Sequence, residues 1–107
     1  MRQRQSDLEA TMDFQMTAAQ LPRHVHEFRF CQRKWRADFA WPEDGRKVLL
    51  EVEGFGHHKL NRYRGDIEKY NEAAILGFCV IRVTGKMIRD GTALQLIERA
   101  LKREEER

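Results

Sequence analysis

The chain has 107 residues, of which 41% are hydrophobic and 35% charged, and its formal net charge at pH 7 is +3. This composition is typical of a globular protein, and the length predicts one domain with little room for a second module. The sequence shows no membrane-spanning run and no secretory stretch, and its two isolated cysteines exclude a disulfide scaffold and a zinc ribbon. We therefore expect a cytoplasmic protein, from a prokaryotic cell or a phage-infected host, with no membrane partner.

The first half of the chain predicts one helix followed by three strands. Apolar side chains recur at helical intervals between about Asp7 and Gln20. From Val25 to Trp41 apolar and charged residues alternate, which indicates two antiparallel strands. The run KVLLEVE, residues 47–53, then predicts a third strand of the same meander.

The second half predicts a crossover helix, a fourth strand and further helices. Helical spacing returns from about residue 61 to 76 and Gly77 ends it, with a buried face assigned to Ile67, Tyr70, Ala74 and Ile75. The stretch FCVIRV, residues 78–83, predicts a strand buried on both sides and parallel to the third. A short helical turn and a last helix complete an α-β-β-β-α-β-α order, a mixed α/β fold.

Two carboxylates end the third strand. Alternation along a strand places Glu51 and Glu53 on one face together with Leu49. A half-buried carboxylate is costly unless it is paired, protonated or bound to a cation. If the preceding turn is centred between residues 43 and 44, Asp38 lies opposite Leu49 and diagonal to Glu51, close enough for two carboxylates to share one metal ion.

These motifs together resemble the PD-(D/E)XK nuclease superfamily, whose core is α-β-β-β-α-β. The resemblance rests on RADFAW, which supplies Asp38, and on LLEVEGFGHH, which supplies Glu51 and Glu53. It continues through GDIEKYNEAAILGFCVIRVT, which is similar to a segment of small phage and bacterial relatives of very-short-patch-repair-type and Holliday-junction-resolving enzymes. It covers about residues 25 to 100.

The resemblance implies a metal-dependent DNA endonuclease that uses Mg²⁺, with Mn²⁺ as a substitute. Asp38, Glu51 and the backbone carbonyl of Val52 would be metal ligands. Glu53 stands where the common pattern has lysine, which implies a base or a further ligand. Lys69, on the following helix, is the candidate for the replaced positive charge.

Other polar residues extend this predicted site. The histidine of the relatives aligns best with His58, where it would contact phosphate or assist the attacking water. Glu27 is a candidate for a second-metal acid. His24 and His26 form an H-x-H pair, but the lack of a third soft ligand nearby argues against a zinc site there. Basic residues flank the carboxylates and are expected to bind DNA phosphates: Arg29, Arg33, Lys34, Arg36, His57, Lys59, Arg62 and Arg64.

Two kinds of alternative stay open. The basic residues also suit a solvated face, Asp38 a salt bridge to Arg36, and Lys69 a helix pair with Asp66. The small size favours selection by DNA structure, such as Holliday-junction resolution by a homodimer on branched or otherwise distorted DNA. The competing functions are a mismatch or repair nicking endonuclease and a catalytically silent nucleic-acid-binding accessory subunit.

Overall fold

The computed structural model describes residues 7–33, 35–42, 47–53 and 60–105, except for the side chains of residues 60–64 and 104–105. Its mixed four-stranded sheet and helices confirm the predicted α+β class and the predicted order of elements. None of the helices in these ranges is long and apolar enough to cross a membrane. The elements are α1 (Asp7–Ala18), β1 (Val25–Phe28), β2 (Ala37–Trp41), β3 (Val48–Glu53), α2 (Leu60–Ile75), β4 (Cys79–Thr84), α3 (Gly85–Arg89) and α4 (Thr92–Glu105).

The strands lie in the order β1-β2-β3-β4. β1 pairs with β2 and β2 with β3 in antiparallel fashion, as expected for a meander. β4 runs parallel to β3, as predicted for two strands joined by a helix. The crossover helix α2 is capped by Gly77, which has a φ of 88°, and the Phe78 N–H donates a hydrogen bond of 2.9 Å to the Ala73 carbonyl. This is the Schellman arrangement that glycine favours.

The predicted register between β2 and β3 is wrong by two residues. Ala40, not Asp38, is the partner of Leu49, and Phe39 is the partner of Leu50. The pairing is thus centred one residue later than predicted, because core packing of Phe39 with Leu50 and not the composition of the turn determines it. A shift of two residues preserves the face of every side chain, so Asp38 still shares a face with Glu51.

The two faces of the sheet carry cores of different size. The large core lies between one face and the helices α1, α3 and α4; the small core lies on the other face, beneath α2. The buried residues of the large core are Met12, Met16, Phe39, Trp41, Val48, Leu50, Val83, Ile88, Ala93, Ile97, Ala100 and Leu101. Those of the small core are Phe30, Ala37, Ala40, Leu49 and Ala73.

The predicted buried face of α2 is wrong at three of its four positions, because Ile67, Ala74 and Ile75 are exposed. Tyr70, the fourth, is half-buried against the sheet, as is Lys69, and Ala73 is fully buried. The physical reason is that α2 covers the face of the sheet that carries carboxylates. Polar side chains of the helix therefore turn toward the sheet, and the apolar positions no longer mark the packed face.

β4 is an edge strand rather than a strand buried on both sides. Within it only Val83 is buried, Cys79, Val80 and Ile81 are half-buried, and Arg82 is exposed. The apolar sequence of β4 reflects partial cover by α2 on one face and α4 on the other, while one edge of the strand has no neighbour within the described sheet. Arg82 thereby remains accessible beside the end of β3.

Candidate functional site

Asp38 lies where the ladder between β2 and β3 stops. The ladder runs from Trp41 paired with Val48 to Phe39 paired with Leu50. Beyond it, Oδ2 of Asp38 accepts a hydrogen bond of 2.7 Å from the Val52 N–H. A side chain thus takes the place of a backbone acceptor, which fixes one carboxylate oxygen of Asp38 against β3.

Glu51 is the buried acid of the site. Its exposed fraction is 8%, and Nζ of Lys69 lies 2.9 Å from its Oε2. Lys69 also donates a 2.8 Å hydrogen bond to the Arg36 carbonyl, so α2 is tied to both β3 and the chain before β2. Sequence reasoning expected Lys69 near this carboxylate, and the structure brings the two together.

Burial changes the proton affinities of these acids. Loss of solvation raises the pKa of Glu51 to about 7, although the Lys69 ammonium opposes the change. Loss of solvation also raises the pKa of Asp38, against the lowering effect of the hydrogen bond from Val52. The negative charges of Asp38 and Glu53 raise the pKa of Glu51 further. A bound cation would therefore favour the ionised forms of both Asp38 and Glu51.

Glu53 is held by two residues whose role the sequence did not reveal. Its Oε2 accepts a 3.0 Å hydrogen bond from Nε of Arg82 and lies 3.5 Å from the Tyr70 hydroxyl. The Arg82 guanidinium stands over the Tyr70 ring at 4.5 Å. Burial and the nearby carboxylates raise the pKa of Tyr70, and the bond to Glu53 raises the pKa of Arg82. The phenol therefore stays protonated and the guanidinium charged.

A second group of acids meets at Asp38. Carboxylate oxygens of Glu9, Glu27 and Asp38 lie within 4.8 Å of one another, a spacing that suits ligands of a metal ion. Glu27 was a sequence-based candidate, whereas Glu9 was missed, because nothing in the sequence relates a residue of α1 to the strands. Among the described residues, the carboxylates close enough to hold a cation together are therefore Asp38, Glu9 and Glu27, whereas Asp38, Glu51 and Glu53 do not form such a three-ligand group.

The predicted DNA-binding residues fall into two sets. Arg33 and Arg36 are exposed and pair loosely with Glu68 at 3.7 Å and Glu27 at 3.8 Å. The guanidinium of Arg29 instead donates to backbone carbonyls at residues 32 and 33, at 2.7 and 3.0 Å, and so shapes the loop before β2. The remaining predictions lie outside the described residues, namely Lys34, His57, His58 and Lys59 and the side chains of Arg62 and Arg64.

Comparison with known proteins gives one result that bears on the fold. The chain is similar to the solved structure "Homing Endonuclease I-Bth0305I Catalytic Domain", with a TM-score of 0.74 and 17% sequence identity. The similarity covers 94% of this chain and 98% of the other. No protein-family model and no curated protein matches the chain. The chain therefore has the fold of a nuclease catalytic domain, and the roles of its individual residues stay predictions.

Proposed function

We propose that the chain is a metal-dependent DNA endonuclease, a single domain of the PD-(D/E)XK type. The observation that carries the proposal is the arrangement of Asp38, Glu51 and Lys69 at the end of the β2–β3 pair. Asp38 is fixed by the Val52 N–H at 2.7 Å, and Glu51 by Lys69 at 2.9 Å. The nuclease catalytic domain with the same fold supports the assignment of DNA as the substrate.

The donor set fits a hard divalent cation. Asp38 and Glu51 supply carboxylate oxygens whose pKa values are raised by burial, so a bound cation would relieve their desolvation and mutual repulsion. The N–H and C=O of a strand residue point to the same side, so we expect the Val52 carbonyl to face β2 as a third ligand. A bound Mg²⁺, or Mn²⁺ in its place, would neutralise phosphate charge and lower the pKa of water.

The remaining polar side chains have positioning and proton-transfer roles in this proposal. Lys69 orients Glu51 and places a positive charge beside the scissile phosphate. Glu53, with Oε2 occupied by Arg82 and Tyr70, offers Oε1 to accept a proton from the attacking water. Arg33 and Arg36 contact the DNA backbone from the exposed side of the same edge. His58 is retained as a contact to phosphate on the basis of the sequence motif.

The substrate we propose is branched or otherwise distorted DNA, cut by a homodimer in the manner of Holliday-junction resolution. Recognition of DNA shape would select such a substrate without base-specific contacts from this domain. Two copies related by a twofold axis would nick two symmetric strands. Participation in recombination or repair, in a phage or its host, follows from that substrate.

The proposal is tested with labelled four-way junction, mismatched duplex and plain duplex, each with Mg²⁺ or EDTA. The wild type is compared with an Asp38→Ala, Glu51→Ala double variant and with the exposed-site control Glu68→Gln. We expect paired symmetric cuts in the junction that require Mg²⁺, persist in the control and are absent from the double variant.

Other outcomes separate the competing functions. Single nicks at mismatches by a monomer would replace junction resolution with the repair activity. Binding without cutting of any substrate by the wild type would contradict catalysis and identify a nucleic-acid-binding accessory subunit. Cutting that persists in the double variant would place the active site elsewhere in the chain.

A further inference from the structure

A second group of metal-ligating side chains lies between α1 and the start of β1. Nε2 of His24 is 2.8 Å from Oδ1 of Asp13, and Nε2 of His26 is 3.4 Å from Oδ2 of the same carboxylate. The three ligand atoms considered together lie within 4.8 Å of one another. Two imidazoles thus converge on one carboxylate from residues that are 11 and 13 positions away along the chain.

The surroundings hold the histidine rings in place. The His24 ring meets Phe39 edge-on, with ring centroids 5.3 Å apart, and Trp41 at 5.9 Å. The His26 ring lies 5.0 Å from that of Phe39. The Trp41 indole N–H also donates to the Pro22 carbonyl at 2.8 Å, which fixes the segment leading to His24. Ordering the ligands therefore has a small entropic cost, because core aromatic rings already restrict both imidazoles.

The ligand chemistry differs from that of the carboxylate site. Imidazole nitrogens suit zinc-class transition metals, whereas Mg²⁺ prefers oxygen. At zinc–ligand distances of about 2.0–2.1 Å, two ligand atoms of a tetrahedral ion lie roughly 3.3 Å apart. The two distances from the Asp13 carboxylate, 2.8 and 3.4 Å, bracket this value. Small side-chain rotations would thus produce a three-ligand site with an open fourth position.

We propose that Asp13, His24 and His26 bind one divalent transition-metal ion, of which Zn²⁺ is the best fit. The side chain of His24 is 11% exposed and that of His26 is 46% exposed, so the ion is reachable from solvent while its inner side is protected. The bound ion joins α1 to β1. Glu9 lies one helical turn before Asp13, and Glu27 follows His26. An ion that connects α1 to β1 would therefore also help to hold Glu9 and Glu27 near Asp38.

The test measures Zn²⁺ binding to the full chain by competition with a chromophoric chelator, and Co²⁺ binding by its visible absorption spectrum. Neither readout depends on cleavage of DNA. We expect one equivalent of Zn²⁺ and a higher melting temperature with the metal. His26→Ala and Asp13→Asn should each weaken binding by at least about tenfold.

Matched variants distinguish this site from the rest of the chain. Asp38→Ala removes the ligand shared by the two acidic groups, and a His57→Ala, His58→Ala double variant removes the other two histidines; both should retain the zinc equivalent. Circular dichroism without metal verifies that each variant is folded, and the exposed position of His26 makes His26→Ala the safer test. Zinc binding of wild-type strength in both His26→Ala and Asp13→Asn, its loss in either control, or its absence from the wild type would overturn the proposal.

Discussion

The two faces of the sheet differ in what they bury. The large core contains Leu50 and a continuous set of apolar side chains from three helices. The small core contains Leu49 and four other buried residues, and beside it lie Glu51 and Lys69. Adjacent positions on β3 thus serve different purposes: one face supplies apolar burial, whereas the other gives up part of that burial to hold carboxylates rigidly. The difference indicates that stability and the proposed chemistry are assigned to opposite faces.

The first prediction compares neighbouring leucines that point to opposite faces. Leu50→Ala should lower the free energy of unfolding by about 3–5 kcal/mol, because it leaves a cavity in the large core. Leu49→Ala, equally buried, should cost less, about 2–3 kcal/mol, since fewer apolar side chains surround it. Denaturant unfolding of both variants at one pH measures the difference. An equal or larger cost for Leu49→Ala would contradict the assignment of stability to the large core.

The second prediction concerns the pH dependence of stability without divalent ions. The pKa of Glu51 is about 7 in the folded chain, against 4.5 for an ordinary solvated glutamate, so the folded state binds the proton more tightly. The contribution of Glu51 to the free energy of unfolding should therefore be largest below pH 4.5. It should fall as the pH rises to about 7, by about 3 kcal/mol at most. Mg²⁺ should restore stability at pH 8 and have little effect at pH 5.

Two variants sharpen that measurement. Glu51→Gln should flatten the pH dependence and remove most of the response to Mg²⁺, whereas Glu68→Gln, at an exposed side chain, should leave both unchanged. Denaturant unfolding at pH 5, 6, 7 and 8 provides the free energies. If wild type and Glu51→Gln show the same slope between pH 5 and 8, protonation of Glu51 is not the cause of the pH dependence of stability.

The third prediction removes the cation of the buried ion pair. Lys69→Met should slow DNA cleavage by about 100-fold, which corresponds to about 2.7 kcal/mol. Without the ammonium at 2.9 Å, the pKa of Glu51 should rise further, so the pH at half-maximal rate should also rise. Lys86→Met removes an exposed lysine as the control. A pH profile that does not move would mean that Lys69 contributes only to packing.

The smallest effect is expected at the exposed end of the same face. Arg82 and Glu53 form a partly exposed ion pair at 3.0 Å. A double-mutant cycle with Arg82→Gln and Glu53→Gln should give a coupling energy for stability below about 1 kcal/mol, because solvent screens the pair. A coupling of several kcal/mol would show that this pair, and not only the buried Glu51, contributes to holding the fold together.

Local periodicity explains which parts of the fold could be predicted. The order of elements follows from spacing along the chain, and Gly77 marks the end of α2 in sequence as in structure. The packed face of α2 could not be predicted from apolarity, since Lys69 and Tyr70 turn toward carboxylates of the sheet. The face of the sheet that α2 covers determines which side of the helix is buried. The sequence of the helix alone does not specify that face.

The candidate site shows the same limit. Asp38, Glu51 and Lys69 could be proposed together because a familiar motif order links them. Glu9 and the group formed by Asp13 with His24 and His26 could not, since their members come together only when α1 packs beside β1. The two-residue error in the β2–β3 register arose in the same way, because contacts within the large core and not the turn residues set the pairing.

The most direct test of the account is a crystal structure of the chain at pH 8 with bound Mn²⁺, located by anomalous scattering. The account predicts an anomalous peak within ligand distance of both Asp38 and Glu51, and loss of that peak in crystals of Glu51→Gln. An ordered site with no peak there, in which Lys69 alone neutralises Glu51, would contradict the claim that the polar face of the sheet is a divalent-metal site.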